Sequence, residues 1–222
     1  MLTFRLRAKV RSYTRDVVRA FARQGTPADM IQIGNEVTSG MLWPLGQIYQ
    51  PDGQHWAQFA ALVAAGLAGA QEGNPHGHQL RSMIHIDRGG DNGGTRWFLD
   101  HLLAEGADFD VLGQSYYAMW HGSLAALAAN LNDTATRYGK DIVIAETQYP
   151  WTLANGDDLG NFVTDAAQLP DGHGAGFLVW EPEWIAGVGW EPGAGNPNDN
   201  LTLFDGSGRA LPALAALRPP RR

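Results

Sequence analysis

Ile31-Gln32-Ile33-Gly34-Asn35-Glu36 and Ile142-Val143-Ile144-Ala145-Glu146-Thr147 share one plan: an apolar run leads straight into a glutamate. In a parallel α/β barrel the reactive groups sit where strands end, at the carboxyl-terminal rim. A Glu that closes a Val/Ile run is therefore aimed at a functional face rather than at bulk solvent.

Working outward, five apolar runs recur at intervals of roughly 25 to 35 residues, the rhythm of βα units in a barrel of about 250 residues. They are Met30 to Gly34, Ser82 to Ile86, Phe109 to about Ser115, Asp141 to Ala145 and Gly176 to Trp180. Helical patterns lie between them. Trp56, Phe59, Ala60, Val63 and Leu67 space one helix, Trp97 to Leu103 a second and Leu124 to Tyr138 a third, with Gly, Asn or Asp breakers at their ends. The alternation predicts an α/β fold with a parallel sheet. Between the fourth and fifth strands only Leu159 to Leu169 offers a helix, which makes a short crossover. After Trp180 a Gly/Pro/Asn-rich stretch runs to Asn200, then Leu201 to Phe204 and a small apolar tail, read as an active-site loop and a closing helix.

Composition sets the outer limits. With 222 residues, 44% of them apolar and 18% charged, one soluble domain spanning residues 1–222 is expected. Cysteine is absent, so neither disulfides nor thiolate metal sites enter. The net charge of −7 disfavours a nucleic-acid surface, yet residues 1–23 hold seven Lys/Arg against one Asp. Leu6, Val10, Tyr13, Val17 and Phe21 recur there at helical spacing. Such a basic amphipathic helix is either a presequence or, as favoured here, a surface helix whose long side chains cover apolar neighbours. Neither a secretory h-region after Met1 nor an apolar run of membrane-spanning length is visible, so no membrane partner is expected.

Every strand end carries groups suited to chemistry or recognition: Asn35-Glu36, His85 with Asp87, Ser115-Tyr116-Tyr117, Glu146 and Trp180-Glu181. Glycoside hydrolysis needs one carboxyl to protonate the leaving oxygen and another to attack or to activate water, and Glu36 and Glu146 supply such a pair. Singly, each is as readily a salt-bridged strand-end carboxylate. Aromatic rings stack on sugar faces, so eight Trp suit a saccharide groove as well as they suit a core. His76 and His78 sit in a Gly/Asn/Pro loop without metal-site spacing, and no metal or other cofactor is expected. Asp87, Asp91 and Asn92 lack the twelfth-position Glu of a calcium loop. Asn196, Asn198, Asp199 and Asn200 offer calcium oxygens, but a polar turn is the simpler identity.

Several motifs in order then resemble glycoside hydrolase family 53, the arabinogalactan endo-β-1,4-galactanases. They are Ile31 to Glu36 followed by Gly40-Met41-Leu42-Trp43-Pro44, Ser115-Tyr116-Tyr117 with Trp120-His121-Gly122, Ala145-Glu146-Thr147 with Tyr149-Pro150-Trp151, and Trp180-Glu181-Pro182 with Trp184. The resemblance runs from about Val10 to Leu217. It implies a (β/α)8 TIM barrel and a retaining mechanism, with Glu36 on barrel strand four as acid/base and Glu146 on strand seven as nucleophile. Asn35 would bind the 2-hydroxyl and Tyr117 would orient Glu146. His85, Trp120, His121, Trp151 and Trp180 would wall the substrate sites, and Asp87 beside His85 is placed with the substrate-binding residues. The implied partner is a galactan or arabinogalactan polysaccharide, met outside the cell. A mannanase or cellulase of the same clan would share the two glutamates but not the Trp120-His121-Gly122 and Tyr149-Pro150-Trp151 motifs.

Three departures from the family pattern are expected to matter. If Glu36 closes strand four, strands four to eight are present and one to three are not, which leaves a catalytic-domain fragment with open sheet edges. The short crossover suggests a deletion near Asp171 to Gly174. Ala118-Met119 replaces a proline and a bulky aromatic. An inactive sugar-binding remnant is the competing expectation.

Overall fold

The computed structural model describes residues 2–148, 172–183, 203–204, 207–212 and 214. Helices and strands alternate: α1 (Leu2–Arg23), β1 (Met30–Gln32), a 3-10 turn (Val37–Ser39), β2 (Tyr49–Gln50), β3 (Gly53–Gln54), α2 (Trp56–Gly73), β4 (Arg81–Ile86), α3 (Asn92–Ala104), β5 (Val111–Tyr117), α4 (Ala118–His121), α5 (Leu124–Tyr138), β6 (Asp141–Gln148) and β7 (Gly174–Val179). The main sheet has the order β1-β4-β5-β6-β7, and β2 with β3 forms a separate antiparallel pair around Pro51-Asp52. Where registers are defined in the main sheet, β1 with β4, β4 with β5, and β6 with β7 are parallel.

All five expected strands are present, with shifted ends. The first stops at Gln32, so Gly34 lies in the turn beyond it. The third begins at Val111 and includes both tyrosines; the fourth continues through Glu146 to Gln148. The extension has a physical cause. Thr147 pairs with Val179, and its hydroxyl donates to the Tyr116 carbonyl at 2.7 Å, which keeps the chain extended past the apolar run.

The described chain divides into two compact units: residues 2–88 with 93–114, and residues 89–92 with those from 115 onward. In the first, α1 lies along α2. Glycine permits the approach, because a Cβ on Gly69 would stand 2.2 Å from the Arg11 carbonyl oxygen and one on Gly73 2.4 Å from that of Arg15. Val18 of α1 is thereby buried with Ala70 and Leu80. The basic groups stay outside: Arg11 Nε donates to Glu72 Oε1 at 2.7 Å, and this bond holds the Glu72 carboxyl below its ordinary range. Exposed pairs of this kind add little stability. The basic segment is thus a covering helix. Phe59, Leu62, Ile84, Phe98, Leu99 and Leu102 form a fully buried interior, where the Phe98 ring meets Trp56 edge-on at 5.5 Å. Trp56 is therefore a core tryptophan.

In the second unit, Tyr116, Leu127, Leu131, Ala135, Ile142, Ile144 and Leu203 form the core, with Phe177, Val179 and Phe204 packed against it. Helix α5 has the predicted bounds. Ser123 Oγ caps it by accepting from the Ala126 N–H, and Gly139 ends it in a left-handed conformation. Fully buried Asn130 donates to the Gly89 carbonyl at 2.8 Å and accepts from Asn92 and Thr134, pinning the 89–92 segment to α5. The predicted helix at 159–169, the short crossover's covering layer, Trp151, Trp184 and the stretch through Asn196, Asn198, Asp199 and Asn200 lie outside the described residues. Among the described residues no helix is long and apolar enough to cross a membrane.

Candidate active site

In the first unit, Glu36 follows β1 through an unusual turn. Gly34 has φ +81 and Glu36 has φ 45, ψ 52, both left-handed. A non-glycine residue held in that region costs on the order of 1–3 kcal/mol, and such outliers gather at functional sites. Glu36 is half-buried. Next to it, Asn35 Oδ1 accepts from Gln32 Nε2 at 3.0 Å and from His85 Nδ1 at 3.0 Å, while Gln32 Nε2 also donates to the Gly34 carbonyl at 2.8 Å. Asp87 accepts from the Thr38 hydroxyl, and its own N–H donates back to Thr38 Oγ1 at 3.2 Å. Asn35, Glu36, His85 and Asp87 are thus gathered in one unit. Gln32 and Thr38 were not among the expected site residues; the one polar side chain inside an apolar strand was the available signal for Gln32.

His85 is fully buried, and burial lowers its pKa, partly offset by the negative charges of Glu36 and Asp87. Its folded pKa lies below the unfolded value of about 6.5. In that case the unfolded chain binds the proton first, so stability is complete above about pH 6.5 and falls on acidification through the window below it. A thermal melting series from neutral pH to about pH 5 should show this fall in the parent and a flatter profile in His85→Gln. Identical slopes in the two proteins would remove His85 as the cause.

In the second unit, the Tyr117 hydroxyl donates to Glu146 Oε2 at 3.0 Å. The Tyr117 backbone N–H donates to His121 Nδ1 at 3.0 Å, so the neutral His121 carries its proton on Nε2. Gly90 lies so close to the His121 carbonyl that a Cβ would come within 1.7 Å of it, so glycine is what permits this approach of the short α4. Trp120 on α4 is 71% exposed, with its ring 5.4 Å from that of Tyr117. Trp180 is 47% exposed, and its backbone is tied at both polar groups, to the Thr147 carbonyl at 2.9 Å and to Gln148 Nε2 at 2.9 Å. The next residue, Glu181, is also left-handed, with φ 45. Met119 is 46% exposed. Glu146, Tyr117, Trp120, His121 and Trp180 all belong to this unit, and Trp151 lies outside the described residues.

The sequence profile described as glycosyl hydrolase family 53 matches residues 3–169 and 159–217, and the chain belongs to that family. An uncharacterized protein from the bgaB 5' region of Niallia circulans is 39% identical over 242 residues, covering 96% of this chain and 65% of that protein. The arabinogalactan endo-β-1,4-galactanase of Thermothelomyces thermophilus is 29% identical over 233 residues, covering 95% of this chain and 67% of its own length. Among solved structures, the family 53 catalytic domain of Ignisphaera aggregans superposes with a TM-score of 0.81 at 29% identity, over 96% of this chain and 64% of that domain. The fold is accordingly α/β of the TIM-barrel type, with about two thirds of the matched domain's length represented.

Proposed function

We propose that this chain carries the chemistry of a retaining endo-β-1,4-galactanase acting on galactan or arabinogalactan. The observation that carries the reading is a family 53 sequence in which both strand-end glutamates are present, Glu146 accepting from the Tyr117 hydroxyl and Glu36 following the hydrogen-bonded Asn35. In this reaction Glu36 protonates the departing galactosyl oxygen while Glu146 attacks the anomeric carbon. Glu36 then takes a proton from the water that releases the glycosyl-enzyme. Glu36 must begin protonated and Glu146 ionised, and the Tyr117 hydroxyl gives the Glu146 carboxylate a donor in its reactive orientation. Asn35 addresses the 2-hydroxyl. Asp87, Trp120, His121, Trp151 and Trp180 are assigned to substrate binding, and fully buried His85 serves it through its bond to Asn35. Proton transfer and attack both come from carboxylates, so the mechanism calls for no cofactor, and the family resemblance is the ground for expecting the reaction outside the cell.

The test is hydrolysis of galactan by the purified chain, with xylan and mannan as comparison substrates and proton NMR of the first-formed anomer. Galactan cleavage with retention supports the reading; preference for another polymer, or inversion, overturns it. Galactan binding without turnover would favour the sugar-binding remnant, a reading kept because the chain spans 65% of its Niallia circulans relative. Trp120→Ala is expected to raise KM about 2- to 10-fold, since one aromatic stacking contact is worth about 0.5–1.5 kcal/mol. The melting temperature should not move, because the ring is largely exposed. A lowered melting temperature with unchanged KM would mean that Trp120 packs rather than binds.

A further inference from the structure

We propose that Gln32 is a positioning residue that sets both the outward-facing amide NH2 of Asn35 and the proton position of His85. The inference rests on the galactanase reading only for what Asn35 does with that NH2; the hydrogen-bond relay itself does not depend on it.

The orientation follows from a single carbonyl. The Gly34 oxygen can only accept, so Gln32 must turn its NH2 toward it, at 2.8 Å. The same nitrogen stands 3.0 Å from a side-chain atom of Asn35, which must then be an acceptor, the oxygen Oδ1. His85 Nδ1 lies 3.0 Å from that oxygen and must therefore carry the proton. Burial keeps His85 neutral near pH 7, and a neutral imidazole has one N–H, so Nε2 holds the lone pair. Both donors fill the inner side of Asn35 Oδ1, and the amide NH2 of this exposed residue is left facing outward as a hydrogen-bond donor. Gln32 also bridges the turn that ends in left-handed Glu36, so one side chain fixes the residue before the acid and the histidine beside it. Partners that orient binding groups in this way act through geometry rather than by touching substrate.

Two substitutions separate this role from simple packing. Gln32→Met keeps the length and removes the donor. Gln32→Glu keeps the shape but, when ionised, turns an acceptor toward both Gly34 and Asn35. Asn35 then rotates to bring NH2 inward, and His85 must present a lone pair at Nδ1. With histidine labelled by 15N, long-range proton–nitrogen NMR at neutral pH should show Nδ1–H for His85 in the parent and Nε2–H in Gln32→Glu. Both variants should lower galactan kcat about tenfold with a smaller change in KM, because a bond to the 2-hydroxyl strengthens in the transition state. Circular dichroism confirms folding in each case.

An unchanged His85 tautomer in folded Gln32→Glu overturns the relay, and so does a parent with Nε2–H. A tautomer switch with kcat unmoved overturns the positioning role. If the parent does not cleave galactan, the galactanase reading fails, while the NMR result still decides the relay.

Discussion

Glu146→Ala is expected to lower galactan turnover by about 10⁴-fold or more, the scale on which loss of a covalent nucleophile acts. Glu36→Ala is expected to cost about 10²- to 10⁴-fold, the usual contribution of a general acid–base group. Magnitude alone does not separate the two roles, but azide does. In Glu146→Ala, azide can enter where the carboxylate attacked and displace the leaving group once, which gives the α-galactosyl azide from a β-linked substrate. In Glu36→Ala the covalent intermediate still forms on Glu146. Azide then attacks that intermediate and gives the β-galactosyl azide, most visibly with an activated aryl galactoside that needs no protonation to leave. The same azide anomer from both variants, or a loss below tenfold in either, would contradict the assignment. Tyr117→Phe refines it. The variant keeps the ring that packs against Trp120 and removes only the hydroxyl that donates to Glu146.

Gly34→Ala is expected to destabilise the chain by about 2–5 kcal/mol, from a left-handed backbone penalty of about 1–2 kcal/mol and overpacking of about 1–3 kcal/mol. The overpacking arises because a Cβ at this position would lie 2.4 Å from Val37 Cγ1, and Val37 is fully buried. The chain contains its own control. Gly77 has the same φ of +81 but nothing within 4 Å of its would-be Cβ. Gly77→Ala should therefore show only the backbone part, and the difference between the two variants in chemical denaturation measures the clash with Val37. Equal losses at the two positions would mean that the Val37 contact relaxes freely. Activity adds a second reading of the same substitution. Because Gly34 begins the turn that presents Asn35 and Glu36, any relief of the clash displaces the acid, and turnover should fall even where the chain remains folded.

The elements that were readable in advance are those whose signals are local. Helix α5 has the bounds read from its spacing because the apolar periodicity and the breakers around it, Gly139 among them, lie within one short segment. The five strands were visible because each is a continuous apolar run, and the glutamates drew notice because they close such runs. The β2–β3 pair went unread although Pro51-Asp52-Gly53 carries the turn chemistry, because two-residue strands leave no periodicity to detect. Tryptophan shows the limit most clearly. Trp56 and Trp120 are the same residue type at helical positions, yet the first is 6% exposed and the second 71%. Which of them fills a core depends on what folds over it.

By itself, then, the sequence determined the βα rhythm and the family, and it singled out Glu36 and Glu146 as the carboxylates that close apolar runs. The tertiary structure alone decided the left-handed backbone at Glu36, the continuation of β6 past Glu146, and the bonds that orient Asn35 and His85. The physical reason lies in separation along the chain. Burial periodicity is written element by element, whereas His85 and Asn35 are 50 residues apart and Thr147 reaches a carbonyl 31 residues before it. Contacts of that range come into being only when strands distant in sequence are laid side by side.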